Sequence, residues 1–212
     1  MSILEEISSF LQQGRMPKVK ELVTKAIEEG IDAKDILENG LMAGMSVIGE
    51  KFKNNQVFVP EVLIAARAMN GGVQVLKPYM TTAGIESKGK AVIGTVKGDL
   101  HDIGKNLVKM MMEGKGIEVI DLGVDVPAET FVEKAQEHGA DIICCSALLT
   151  TTMDEMKTVV DKTAEAGIRD HVKIMIGGAP VTQSFCDSIG ADCYTPDAAS
   201  AADAALAFCQ GA

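Results

Sequence analysis

No uninterrupted apolar run approaches the ~18 residues that would suggest a membrane span, although 47% of the 212 residues are hydrophobic. Residues 1–15 carry Glu5 and Glu6 and lack the basic start and apolar stretch of a signal peptide, which makes the cytoplasm the expected compartment. The cysteines, Cys144, Cys145, Cys186, Cys193 and Cys209, form an odd set without a CxxC pair. That argues against a disulfide framework and a sulfur-rich metal site, and leaves reduced, mostly buried thiols. No basic stripe relieves the formal charge of −10, so nucleic acid is not an expected partner. What remains is a chain long enough to bury a core without covalent staples.

Two patterns divide it. Over residues 3–80 the apolar residues recur at helical spacing, which predicts four helices and a small bundle. The first carries Ile3, Ile7 and Leu11; the second opens at Pro17 and stops at Gly30. The third spans 33–53 with Ile36, Leu37, Leu41, Met45, Ile48 and Phe52 inward, and the fourth follows Pro60 and ends near Pro78. Residues 81–89, with Gly84 and Gly89, suit a linker. Short apolar runs at 91–96, 117–122, 141–146 and 172–176 then alternate with helical stretches beginning near Ile103, Pro127, Thr152 and Pro180. A short strand near Cys193 and Tyr194 and a helix over 198–209 complete five units. The expected fold is α/β: an N-terminal four-helix bundle over 1–80, then a flavodoxin-like, Rossmann-like five-stranded parallel sheet over 90–212.

Open parallel sheets bind ligands beyond the carboxyl ends of their strands, where strand order reverses. In flavodoxin-like order that point lies between the first and third strands. Gly98-Asp99-Leu100-His101-Asp102-Ile103-Gly104 follows the first strand, Ser146-Ala147-Leu148-Leu149-Thr150-Thr151-Thr152 the third, and Gly177-Gly178 the fourth. Of the three histidines, His138 sits at a predicted helix end, where a cap or dipole contact explains it, and His171 lies in a solvated turn. His101 stands on the glycine-bounded loop, two residues after a carboxylate. A metal-ligating imidazole usually gives its other nitrogen to such a group, and Asp99 is placed for that, with a hydroxyl of Ser146 or Thr152 behind it. A phosphate site is the competing reading of the loop, but no Walker-type GK[ST] is present and Asp99 and Asp102 would repel an anion. One histidine is too few for a zinc site made by protein alone. A metal bringing its other ligands, such as cobalt in a corrin ring, fits better.

The run from Gly98 through Lys105-Asn106 resembles the long form of the DxHxxG cobalamin-binding signature, followed at family-like spacing by Ser146-x-Leu148 and Gly177-Gly178. The helical half resembles the cap that accompanies such modules in methionine synthase and in methanogenic or acetogenic methyltransferase corrinoid proteins. The matching stretches are Glu38-Asn39-Gly40-Leu41-Met42, Gly49-Glu50-Lys51-Phe52 and Phe58-Val59-Pro60-Glu61. Nearly the entire chain is covered.

The resemblance implies cobalamin or a related corrinoid as cofactor, with His101 replacing dimethylbenzimidazole as the lower cobalt ligand within a signature that includes Leu100, Asp102 and Gly104. Gly98, Ser146, Leu148, Thr150, Gly177 and Gly178 would line the slot for the displaced nucleotide tail. Asp99 would hold the imidazole and Thr152 complete a proton relay, where methionine synthase has a serine. Phe52 and Val59 would shield the upper face of the corrin, with Glu38 near the methyl group. Phe52, like Met45 and Met69, is at helical spacing and equally compatible with plain core packing, and the twelve methionines suit either a pliable surface or ordinary core. The implied function is a methyl carrier: Co(I) accepts a methyl group from a methylamine, quaternary amine, methanol or methoxy compound on a partner methyltransferase. Methylcobalamin then yields it to a second methyltransferase whose acceptor is tetrahydrofolate or a thiol such as coenzyme M. A reductive activase is a further implied partner, and the cap would move about the linker. Cap and carrier alone would not complete a transfer. Rival readings are the cobalamin subunit of an adenosylcobalamin-dependent mutase, a cobalamin-dependent regulator, for which too few residues precede Ile31 to form a DNA-binding head, and a flavodoxin-like protein or response regulator without a corrinoid.

Overall fold

In the computed structural model, residues 1–82 and 86–211 are described. The chain forms two compact units, Met1–Glu86 with Gly114–Gly116, and Ser87–Glu113 with Ile117–Ala212. Ala83, Gly84 and Ile85, the middle of the stretch expected to be a linker, lie outside the described residues.

The first unit is helical. Ser2 and Glu5 close a reciprocal capping box at the start of α1 (Ile3–Gln12), which buries Ile7 and Leu11. Pro17 stands in the first turn of α2 (Met16–Glu28), whose Val19, Leu22, Val23 and Ala26 are buried. The expected helix over 33–53 is one continuous helical path with three parts: α3 (Ala33–Asp35), a π-helical segment Ile36–Met42 and α4 (Ala43–Lys53). The spacing of its buried residues explains the wider turn. Leu41, Met45 and Ile48 follow one another at four and three, but Ile36 precedes Leu41 by five, so an α-helical path would rotate it off the buried face. The last helix, α5 (Val59–Thr82), does not stop near Pro78 but runs to Thr82. Pro78 stands only four residues from that end, so its missing N–H forfeits a single late bond.

The second unit is the α/β part. Strands β1 (Lys90–Val96), β2 (Glu118–Val126), β3 (Ile142–Ser146), β4 (Lys173–Gly177) and β5 (Cys193–Tyr194) lie in the order β2-β1-β3-β4-β5, all paired parallel. The order therefore reverses between β1 and β3. Between the strands run α6 (Ile103–Gly114), α7 (Ala128–His138), α8 (Asp154–Glu165) and α9 (Gln183–Ile189), and α10 (Ala198–Cys209) follows β5. The row Val92, Ile143 and Ile174 packs with Phe131 of α7, Met156 of α8 and Cys186 of α9. The next row, Ile93, Cys144 and Met175, points to the opposite face by the two-residue period of a strand. Helices on both faces require apolar strands throughout, and Ala91 to Val96 are all buried.

Two elements of this unit differ from expectation. β2 continues four residues past the predicted Leu122, through Gly123 at φ +85° and Asp125 at φ +53°, with register shifts opposite β1 between Ile93 and Gly94 and between Gly94 and Val96. The helix expected from Pro180 starts at Gln183, because the Thr182 side chain accepts from the Phe185 amide and sets the start there.

Candidate functional site

Three cross-strand neighbours end the sheet at its switch point: Thr95 on β1 opposite Ser146 on β3, and Ser146 opposite Gly177 on β4. Beyond them the chain turns into the segments singled out in the sequence. After β1 it passes Gly98, at φ +81°, and Asp99, His101 and Asp102 before α6 begins. Asp102 accepts from the Asn106 side chain and amide, the position of a residue that starts a helix; its side chain, like Gly104, is exposed.

Asp99 is fully buried and its carboxylate is saturated. Oδ1 accepts from the His101 amide at 3.1 Å and pairs with His101 Nδ1 at 2.8 Å. Oδ2 accepts from the Leu148 and Leu149 amides at 2.8 and 3.1 Å and from the Thr152 hydroxyl at 2.9 Å. Burial pushes the carboxyl pKa up, but these hydrogen bonds, led by those from His101, more than offset it and hold the group well below the usual carboxylate range. An ionised carboxylate can only accept, so the proton of the neutral imidazole resides on Nδ1 and Nε2 carries the lone pair. The imidazole is half exposed, at 51%, and among the described residues nothing bonds to Nε2. On the segments that meet at Asp99, Leu100 (70%), Ile103 (73%), Leu148 (44%) and Leu149 (40%) leave large apolar side chains exposed. A half-open imidazole on segments that expose leucine and isoleucine suits a flat apolar ligand with a metal at its centre.

Of the two hydroxyls expected behind Asp99, Thr152 reaches it and Ser146 does not; among the described residues the Ser146 side chain makes no hydrogen bond. The Thr152 hydroxyl stands 2.9 Å from both Asp99 Oδ2 and the Leu149 carbonyl, and its one hydrogen serves one of them at a time. Thr150 opens the short 3₁₀ turn that carries Thr152 and is itself exposed. Gly177 is open to addition, whereas Gly178, at φ +137°, lies so close to Ala147 that a Cβ would overlap its carbonyl oxygen. Glu38 on the π segment, Phe52 on α4 and Val59 at the start of α5 belong to the helical unit, each half-buried.

Several supports of this loop escaped the sequence reading. Thr95 Oγ1, fully buried, donates to the His101 carbonyl at 2.8 Å. Asp125 Oδ1 accepts from the Gly98 amide at 2.7 Å, and the Asp125 amide donates to the Asp99 carbonyl at 2.9 Å. Lys105, buried in α6, reaches Asp121 Oδ1 at 2.5 Å and Asn106 Oδ1 at 2.8 Å, while Lys109 reaches Asp121 Oδ2 at 3.3 Å. Burial pushes Asp121 up, and its bonds from Lys105 and the Gly123 amide bring it below the ordinary value. The signal for Asp125 was its place before Val126-Pro127, at the carboxyl end of a strand, but a strand ending at Leu122 left it in a loop. Among the described residues no three His, Cys, Asp or Glu side chains gather to hold a metal ion, so His101 would be a lone protein ligand.

Residues 89–206 match a family described as the B12 binding domain, and residues 3–77 match a second family of the same description. A corrinoid protein of Desulfitobacterium hafniense is 44% identical over 208 residues, covering 97% of this chain and 96% of that one. Trimethylamine corrinoid protein 1 of Methanosarcina acetivorans is 50% identical over 176 residues, 82% of each chain. The crystal structure of the methanol:cobalamin methyltransferase complex MtaBC from Methanosarcina barkeri superposes with a TM-score of 0.89 at 33% identity, over 99% of this chain and 80% of that one.

Proposed function

Since the chain belongs to the corrinoid proteins of methyltransferase systems, whose cofactor is cobalamin or a related corrinoid, we propose that it carries methyl groups between two partner enzymes. It takes the methyl group from a methylated amine held by a substrate-specific methyltransferase. It yields that group to a second methyltransferase, whose acceptor is tetrahydrofolate or a thiol such as coenzyme M, and a reductive activase restores the carrier. The amine donor is supported by the 50% identity to a trimethylamine corrinoid protein, and the first partner by the methanol:cobalamin methyltransferase complex among the similar structures.

The observation that carries the reading is the Asp99–His101 pair, in which a buried, saturated carboxylate leaves Nε2 as an available donor. Cobalt held in the corrin ring supplies a centre that gains and gives up a methyl group. The chain's own part is to orient and charge one imidazole. Asp99 keeps the Nδ1 proton in place and strengthens Nε2 as a ligand. A proton taken up at a free Nε2 would give an imidazolium that the Asp99 carboxylate already faces. The Thr152 hydroxyl, within 2.9 Å of both Oδ2 and the Leu149 carbonyl, can give or withhold its hydrogen from the carboxylate without moving the backbone. Gly98, Ser146, Leu148, Thr150, Gly177 and Gly178 are proposed to border the nucleotide tail. Leu100, Asp102 and Gly104 are proposed to stand under the ring, and Glu38, Phe52 and Val59 to serve its other side.

The test is reconstitution with hydroxocobalamin, reduction to Co(II) and electron paramagnetic resonance. Splitting by one nitrogen is expected that changes from a triplet to a doublet on ¹⁵N-histidine labelling, and this label-sensitive splitting is lost in His101→Ala; splitting in the wild type that ignores the label defeats the reading. For the carrier role, the visible spectrum of the reduced protein should change only with both a methylamine and its methyltransferase present.

A further inference from the structure

Asp125 has no assigned part in this site, yet it holds the ligand loop from two directions. Its carboxylate accepts from the Gly98 amide at 2.7 Å, and its own amide donates to the Asp99 carbonyl at 2.9 Å. The two bonds grip consecutive residues, Gly98 and Asp99, the second of them two positions before His101. Asp125 reaches them at φ +53°, a left-handed backbone that a non-glycine residue adopts at a cost and that Asp and Asn tolerate better than most. The register shifts of β2 against β1 bring the end of β2 to this point. Gly98 is left-handed too, at φ +81°, so two turns of unusual conformation are tied to each other across the parallel pair.

The direction of the bonds matters. Asp99 Oδ1 must meet both the amide and the ring of His101, while Oδ2 meets two amides and a hydroxyl from the segment after β3. A carboxylate that meets four N–H donors in fixed places and a hydroxyl in reach tolerates little movement of its own backbone. The backbone bond from Asp125 and the grip on the preceding residue set where the Asp99 Cα stands. Thr95 fixes the other limb at the His101 carbonyl.

We propose that Asp125 is a positioning residue for the cobalt ligand: by clamping Gly98 and Asp99 it sets the Asp99–His101 geometry and thereby the fraction of protein in which the imidazole is coordinated. This rests on the reading of His101 as lower ligand. Asp125→Asn keeps the tolerance for positive φ and an oxygen acceptor, but exchanges a charge-assisted bond for a neutral one roughly half as strong. Asp125→Gly keeps the backbone and removes the acceptor.

The experiment measures wild type, Asp125→Asn, Asp125→Gly and His101→Ala for the fraction of Co(II) protein showing histidine nitrogen splitting at saturating corrinoid, the dissociation constant for hydroxocobalamin and the melting temperature. In the proteins that keep His101, its tautomer is read from ¹⁵N chemical shifts without any corrinoid. Expected is a graded loss, wild type above Asn above Gly, with corrinoid affinity about 10-fold weaker in Gly and the Nδ1–H tautomer no longer dominant. Wild-type fraction and tautomer in both Asp125 variants overturn the proposal. So does a loss that merely follows the fall in melting temperature, equal in Asn and Gly. If Asp125→Gly does not fold, Asp125→Asn decides alone, and a wild-type fraction and tautomer there overturn it. Wild-type splitting that does not respond to ¹⁵N-histidine, or label-sensitive splitting that persists in His101→Ala, instead overturns the reading of the ligand itself, which separates the two failures.

Discussion

Asp99 concentrates the chemistry of the site in one side chain. Replacing it by Asn turns half of an acceptor into a donor, which must then face either His101 or the amides of Leu148 and Leu149. A buried donor opposed by donors costs on the order of 3 kcal/mol. Asp99→Asn should therefore lower the unfolding free energy by about that amount in urea titrations and free the tautomer of His101. Thr152→Val should cost about 1–3 kcal/mol by taking the hydroxyl from Oδ2, while Thr152→Ser keeps it and should remain near wild type. A third change acts on shape rather than charge. Gly178→Ala should destabilise the protein and weaken corrinoid binding, because the added methyl meets a backbone carbonyl that has nowhere to go; calorimetry with and without corrinoid checks it. His101, Asp99 and Gly178 were legible as residue types on loops at strand ends. Thr95 and Asp125 were not, since a buried threonine in a strand and an aspartate before Val126-Pro127 look ordinary until the loop they hold is folded against them.

Among the elements, helices and strands followed from apolar spacing because a face that must be buried writes its own period. The exceptions are the places where another force sets the local path. Five residues separate Ile36 from Leu41, and the path widens to a π turn to keep both inside. β2 outruns its apolar stretch because Gly123 and Asp125 continue to pair in irregular register. The close approach of α4 to α1 gives a test within the helical unit. A Cβ on Gly44 would stand 3.0 Å from the Ser8 carbonyl oxygen and 3.1 Å from its Cα, both backbone atoms. Gly44→Val improves helix propensity by only about 0.5 kcal/mol, whereas overpacking costs about 1–3 kcal/mol. The crowding should win, and circular dichroism of the variant should show a lower melting temperature.

At the scale of the whole molecule the carboxylates pull in two directions. Asp99 and Asp121 are held below their ordinary value of 3.8, so their contribution to stability is complete above it and is lost as pH falls through the folded values. Glu113 is pushed up from 4.5 by burial, with Lys109 opposing and Asp121 adding to the shift. Its cost is felt at neutral pH and disappears as it protonates. Urea midpoints should therefore hold or rise slightly on acidification from neutrality and fall below about pH 4; a fall beginning near pH 6 would contradict this balance. No helix among the described residues is long and apolar enough to cross a membrane. The distorted end of β2 has one more consequence. β2 is an outer strand of nine residues, long enough to recruit a stray chain by backbone pairing. Its slipped register, two left-handed residues and the exposed Glu118, Asp121 and Asp125 spoil that template. The kink that bends toward the ligand loop thus also guards against fibre-like aggregation, so straightening β2 should reduce solubility at high concentration.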